Sequence, residues 1–84
     1  MRHAIAEELE AIAPLLDQLR TVDGLKEKST GTFYKGSKAF LHFHVDGDDF
    51  WADVKLNGQE FERVRATTKA EQRSLVTQIR RALK

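Results

Sequence analysis

The sequence predicts an α+β domain: an antiparallel meander of three to four strands flanked by an N-terminal and a C-terminal helix, in the order α-β-β-β-(β)-α. Three observations predict it. Two alternating apolar runs flank Asp46-Gly47, the strongest short-range hairpin signal a sequence offers. A stripe of apolar residues at helical spacing precedes them. A second stripe, opened by a capping box, follows them. At 84 residues the chain has room for one domain, residues 1–84, around one core.

The first helix is expected over residues 3–20. Ile5, Leu9, Ile12, Leu16 and Leu19 fall at i, i+4, i+7, i+11 and i+14, which is one stripe. Glu7, Glu8 and Glu10 come early and Arg20 late, as the helix dipole favours. Pro14 lacks a backbone donor and crowds the carbonyl of Glu10, a cost of about 3 kcal/mol in a helix interior. Either the helix kinks there or two short helices meet there, and the unbroken stripe favours the kink. Gly24 ends this segment, and Leu25 to Gly31 read as a polar, irregular, mobile stretch.

Thr32–Lys35 reads as a short strand, and Gly36-Ser37 as a tight turn that pairs Lys35 with Lys38. If Gly47-Asp48 is the loop of the next hairpin, Val45 faces Phe50, Phe43 faces Ala52, Leu41 faces Val54 and Ala39 faces Leu56. Every one of these pairs is apolar, and a slip of one residue would scramble them, so the register specifies itself. Asn57-Gly58 marks a further turn, leading to a short strand around Gln59–Arg65 with Phe61 opposite Val54. Thr68 and Glu71 form the capping box of a helix running to about Leu83, with Leu75, Val76, Ile79, Ala82 and Leu83 as its stripe. The core side of the sheet is predicted to be Tyr34, Leu41, Phe43, Val45, Phe50, Ala52, Val54 and Leu56.

Composition narrows the chemistry. The chain has no cysteine, which excludes disulfides, thiolate metal sites and cysteine nucleophiles. No signal-peptide core and no membrane-spanning apolar run is present, so a cytoplasmic chain with no membrane partner is expected. The net charge is +1, but residues 61–84 carry seven cations against two anions, leaving +5 there and −4 elsewhere. Such polarity favours an acidic partner or head-to-tail contacts.

Parity puts the unusual residues on the other sheet face. Phe40, His42, His44 and Asp46 come from one strand, and Trp51, Asp53 and Lys55 from the next. The register sets His44 opposite Trp51, His42 opposite Asp53 and Phe40 opposite Lys55, with Phe33 beside Phe40. A solvated face would carry Thr, Lys, Glu and Arg instead. The leading reading is a non-enzymatic module that self-associates as a homodimer, or takes a protein or small-molecule partner, through Phe33, Phe40, His42, His44, Trp51, Asp53 and Lys55. A second reading is nucleic-acid binding through Lys69, Arg73, Arg80, Arg81 and Lys84 of the last helix. A third is a metal- or ligand-dependent enzyme centred on His42, His44 and Asp53. Two histidines two apart on a strand share a face, with Cα atoms about 6.5–7 Å apart, and imidazole suits transition metals. Asp53 would supply an oxygen or orient His42. His3 is expected to be exposed and remote, so no third histidine completes the set, and no cofactor is expected. No catalytic residue is assigned: His42 and Asp53 supply a base and its orienting group, but no nucleophile accompanies them.

Leu15 to Gly24, then Gly31-Thr-Phe-Tyr-Lys-Gly-Ser-Lys-Ala-Phe40, then Asp53-Val-Lys-Leu56 is similar to a loose bacterial pattern. In that pattern a helix ends at a leucine–glycine turn, a meander follows, and the third strand ends in lysine-leucine. In this the chain resembles the YjbR/MmcQ-like and TfoX N-terminal-like domains. His42-Phe-His-Val-Asp-Gly47 is also similar to small luciferase-like domains. The resemblance spans about residues 15–56 and implies an α+β fold and a binding role, with DNA as one proposed partner; it transfers no site residues.

Overall fold

A computed structural model describes all 84 residues. The elements are β1 (Arg2–His3), α1 (Ala6–Leu9), a 3₁₀ turn (Glu10–Ile12), α2 (Ala13–Leu19), β2 (Lys26–Ser29), β3 (Thr32–Lys35), β4 (Lys38–Asp46), β5 (Asp49–Val54), β6 (Glu62–Arg65) and α3 (Lys69–Ala82). The α+β class and the helix at each end are as predicted. The sheet is larger, with six strands. β2 to β6 follow one another as an antiparallel meander. β1 pairs with the far half of β4 at Arg2↔Val45 and His3↔His44. Because β5 occupies the opposite edge of β4 at those same residues, β1 continues the edge on which β3 lies.

The helical segment is two short helices rather than one kinked one. Pro14 sits in the first turn of α2, where a missing N–H donor has no partner to lose. Ile12, at φ −114° and ψ 24°, breaks the helical path just before it. Most of the apolar stripe survives the break: Leu9, Ile12, Leu16 and Leu19 are buried, joined by Leu15, whereas Ile5, just before α1, is exposed. Another correction is β2. Lys26-Glu-Lys-Ser29 pairs with β3 as an ordered edge strand, not an irregular mobile stretch. Its residues are mostly exposed, so it carries no apolar alternation to read. Gly31 closes the β2–β3 hairpin at φ +78°, and a Cβ there would meet Leu9 Cδ1 at 2.9 Å, so a side chain at this turn has neither the conformation nor the room.

The β4–β5 register is the predicted one at each pair from Leu41↔Val54 to Asp46↔Asp49. The β3–β4 register starts as predicted, with Lys35 opposite Lys38, but departs at Phe33. Phe33 pairs with Leu41 while Tyr34 pairs with Ala39, so Phe40 is an extra residue, a β-bulge. The bulge turns Phe33 onto the core side and lets Phe40 and Leu41 both go inward; all three are buried. Burial of each such side chain stabilises by about 1.5–3 kcal/mol, which a regular ladder would forgo for Phe33 and Phe40. Tyr34, expected in the core, is half-buried on β3 under the Lys28 ammonium, 4.3 Å from its ring centre. At the other edge Val54 pairs with Glu62 instead of Phe61, and Phe61 stays exposed.

One core joins these elements. Leu9 to Leu19 from the helical segment and Leu75, Val76 and Ile79 from α3 cover one sheet face and meet Phe33, Phe40, Leu41, Phe43, Ala52 and Val54. The predicted capping box is present: Thr68 Oγ1 accepts from Glu71 N at 3.1 Å, and Glu71 Oε1 accepts from Thr68 N at 2.9 Å. No helix is long and apolar enough to cross a membrane.

Candidate functional site

The face of the sheet away from the helices carries a cluster of three histidines. β4 alternates Phe43 and Val45 inward, so His42 and His44 point to the other side. β1 then brings a third. His3 pairs directly with His44, and its ring centre lies 4.3 Å from that of His44 and 5.4 Å from that of His42. The rings of His42 and His44 are 5.1 Å apart. One ring nitrogen from each of the three lies within 4.8 Å of the others. His3 is exposed, as expected from its position, but it is not remote, and the expectation that no third histidine joins the pair is overturned.

Around the imidazoles stand Asp53, Arg63 and Phe61. Asp53 lies opposite His42 in register, yet its nearest imidazole is that of His44, with Oδ2 at 3.2 Å from Nδ1. That approach is off the hydrogen-bonding direction, and Nδ1 of both His42 and His44 is buried without a hydrogen-bond partner. The predicted His42–Asp53 pairing is therefore replaced by a diagonal His44–Asp53 contact. Asp53 is gripped by Arg63 from β6, whose Nε and terminal nitrogen donate to its two oxygens at 2.9 and 3.2 Å. The pairing is bidentate, the strong geometry for this ion pair. Phe61 stands edge-on to His42 at 5.0 Å.

The electrostatics follow from this packing. Burial holds the pKa of His42 and of His44 below the ordinary imidazole value; Asp53 pulls each upward, and the neighbouring His3 and Arg63 push it further down. His44 lowers that of His42 as well. Arg63 holds the Asp53 carboxyl below the usual carboxylate range. At neutral pH His42 and His44 are thus neutral, the state in which imidazoles bind metals, beside a carboxylate whose charge is already matched.

The remaining sequence-predicted residues divide. Trp51, opposite His44, is half-buried on the same face, with its Nε1 buried and unpartnered. Lys55 is at the end of that face, with its Nζ 4.8 Å from the Phe61 ring centre. Phe33 and Phe40 belong to the core and are absent from this face. Lys69, Arg73, Arg80, Arg81 and Lys84 are exposed on and just beyond α3. α3 packs on the opposite side of the sheet, so the basic helix and the His/Trp face point away from each other.

Sequence reasoning missed His3, Arg63 and Phe61. One signal for His3 was available in strand lengths. β4 is nine residues long and β3 only four, so half of that edge of β4 needs another partner. Comparison with family models, with curated proteins and with solved structures returned no match.

Proposed function

We propose that the protein is a non-enzymatic binding module whose ligand is a divalent transition-metal ion held by His3, His42 and His44. The observation that carries this is the convergence of three imidazole nitrogens within 4.8 Å of one another on one sheet face. Tetrahedral zinc with nitrogens at about 2.0–2.1 Å needs ligand atoms roughly 3.3 Å apart. The contraction required is on the order of an ångström, within reach of side-chain rotation. His3 is the exposed member of the three.

Three neutral imidazoles suit zinc, copper or nickel, and the absence of thiolates argues against a closed structural zinc site. Asp53 would act one shell out. A small turn of the His44 ring would direct its Nδ1–H onto Asp53 Oδ2 and leave Nε2 for the metal, the arrangement that fixes tautomer and orientation in many histidine sites. Arg63 holds Asp53 in place for this.

Calorimetric titration of untagged protein with zinc tests the reading. One ion should bind per chain, and His42→Ala or His44→Ala should weaken binding by more than about 100-fold, since even outer-shell partners are worth 10–100-fold. Binding that is absent, or unchanged in both variants, would refute it.

A further inference from the structure

His3 and His42 also line a second feature. β3 begins at Thr32 and β1 ends at His3, both on one edge of β4, and Ala4 N makes the last bond on the β1 side, to Phe43 O at 3.1 Å. Between them is a notch of about 190 Å³, its polar lining His3, His42 and residues 29–32 of the β2–β3 hairpin, with Ala4, Leu9 and Phe43 as its apolar wall. Its volume equals that of about six waters at roughly 30 Å³ each, enough for an ion or molecule of four or five heavy atoms. No carboxylate lines it. Glu27, whose carboxylate accepts from Gly31 N beside it, is engaged by Arg20.

Charge makes the notch informative. Three neutral imidazoles bring no charge to a divalent ion, and Asp53, the one carboxylate at the cluster, is already matched by Arg63. The protein therefore leaves the ion's positive charge uncompensated in a half-buried place, which is costly without a counter-anion. Three protein ligands also leave a fourth tetrahedral position open, as in metal sites that take an exogenous ligand. Resting on the metal reading above, we infer that this open position faces the notch and takes a small oxyanion of carboxylate or phosphate type. One anion oxygen would ligate the metal, and the hydroxyls of Ser29, Thr30 and Thr32 would donate to the others.

Cobalt(II) substitution tests this, because the visible bands of tetrahedral cobalt report what occupies its fourth position. The cobalt-loaded protein, in a non-coordinating buffer, is titrated in separate arms with inorganic phosphate and with acetate. A saturable spectral change with cobalt retained supports the inference, provided that the double variant Thr30→Val/Thr32→Val, with cobalt affinity unchanged, binds the anion about tenfold more weakly, as expected for two lost hydrogen bonds. A cobalt spectrum that neither anion alters at tens of millimolar, or a variant that binds the anion as well as the parent, overturns the inference and leaves the metal reading standing. Failure of cobalt to bind at all overturns both.

Discussion

Single residues set the chemistry of the outer sheet face, and their legibility was uneven. Strand parity alone placed His42, His44, Trp51 and Asp53 together, because β4 and β5 pair in a register that their apolar faces enforce. It failed for Phe33 and Phe40, because a bulge changes parity without leaving a mark in the sequence beyond two aromatics that both gain from burial. The consequence is measurable. Phe33→Ala should cost about 3–5 kcal/mol in chemical denaturation, the range for emptying a core aromatic. Phe61→Ala, at an exposed position, should shift stability by about 0.5 kcal/mol or less. Similar small losses in both would return Phe33 to the surface. His3 lay beyond parity altogether. A two-residue strand has no period, and only the unmet edge of β4 hinted at it.

At the level of elements, helices and strands were found where an apolar period or a cap announces them. α3 was legible from Thr68, Glu71 and its stripe, and the β4–β5 hairpin from Gly47 and its flanking runs. β2 was not, since an edge strand wet on both sides has polar residues throughout. Pro14 shows how a correct observation led to the wrong choice. The continuous stripe suggested one kinked helix, but a 3₁₀ turn keeps the same face inward while it resets the helix start. Pro14→Ala should therefore change stability by less than about 1 kcal/mol. A gain near 3 kcal/mol, measured by the same denaturation, would mean that the proline sits in a helix interior after all.

Across the whole molecule the helices and the sheet divide the labour. The helical side encloses the core and carries Lys69, Arg73, Arg80, Arg81 and Lys84 outward, none within ion-pair reach of a carboxylate, whereas Arg63 of the same basic third pairs with Asp53 within the sheet, and Arg65 pairs with Asp49 of β5 and Glu71 of α3. The uneven charge seen in the sequence is thus two separate things: a solvated helix, and paired arginines of β6, of which Arg63 braces the histidine face through Asp53 and Arg65 ties the sheet to the start of α3. Because the basic helix and the His/Trp face point in opposite directions, they do not form a joint surface for backbone contacts and base stacking. The histidine cluster is the most specific chemistry the fold assembles, and it joins the N-terminal strand to the middle of the sheet. Nitrogen-15 NMR of the imidazole rings during a zinc titration tests it directly. At one equivalent of zinc the ring signals of His3, His42 and His44 should all move together, with His44 coordinated through Nε2 and protonated at Nδ1. Movement of His3 alone, or of none of the three, would contradict a shared metal centre.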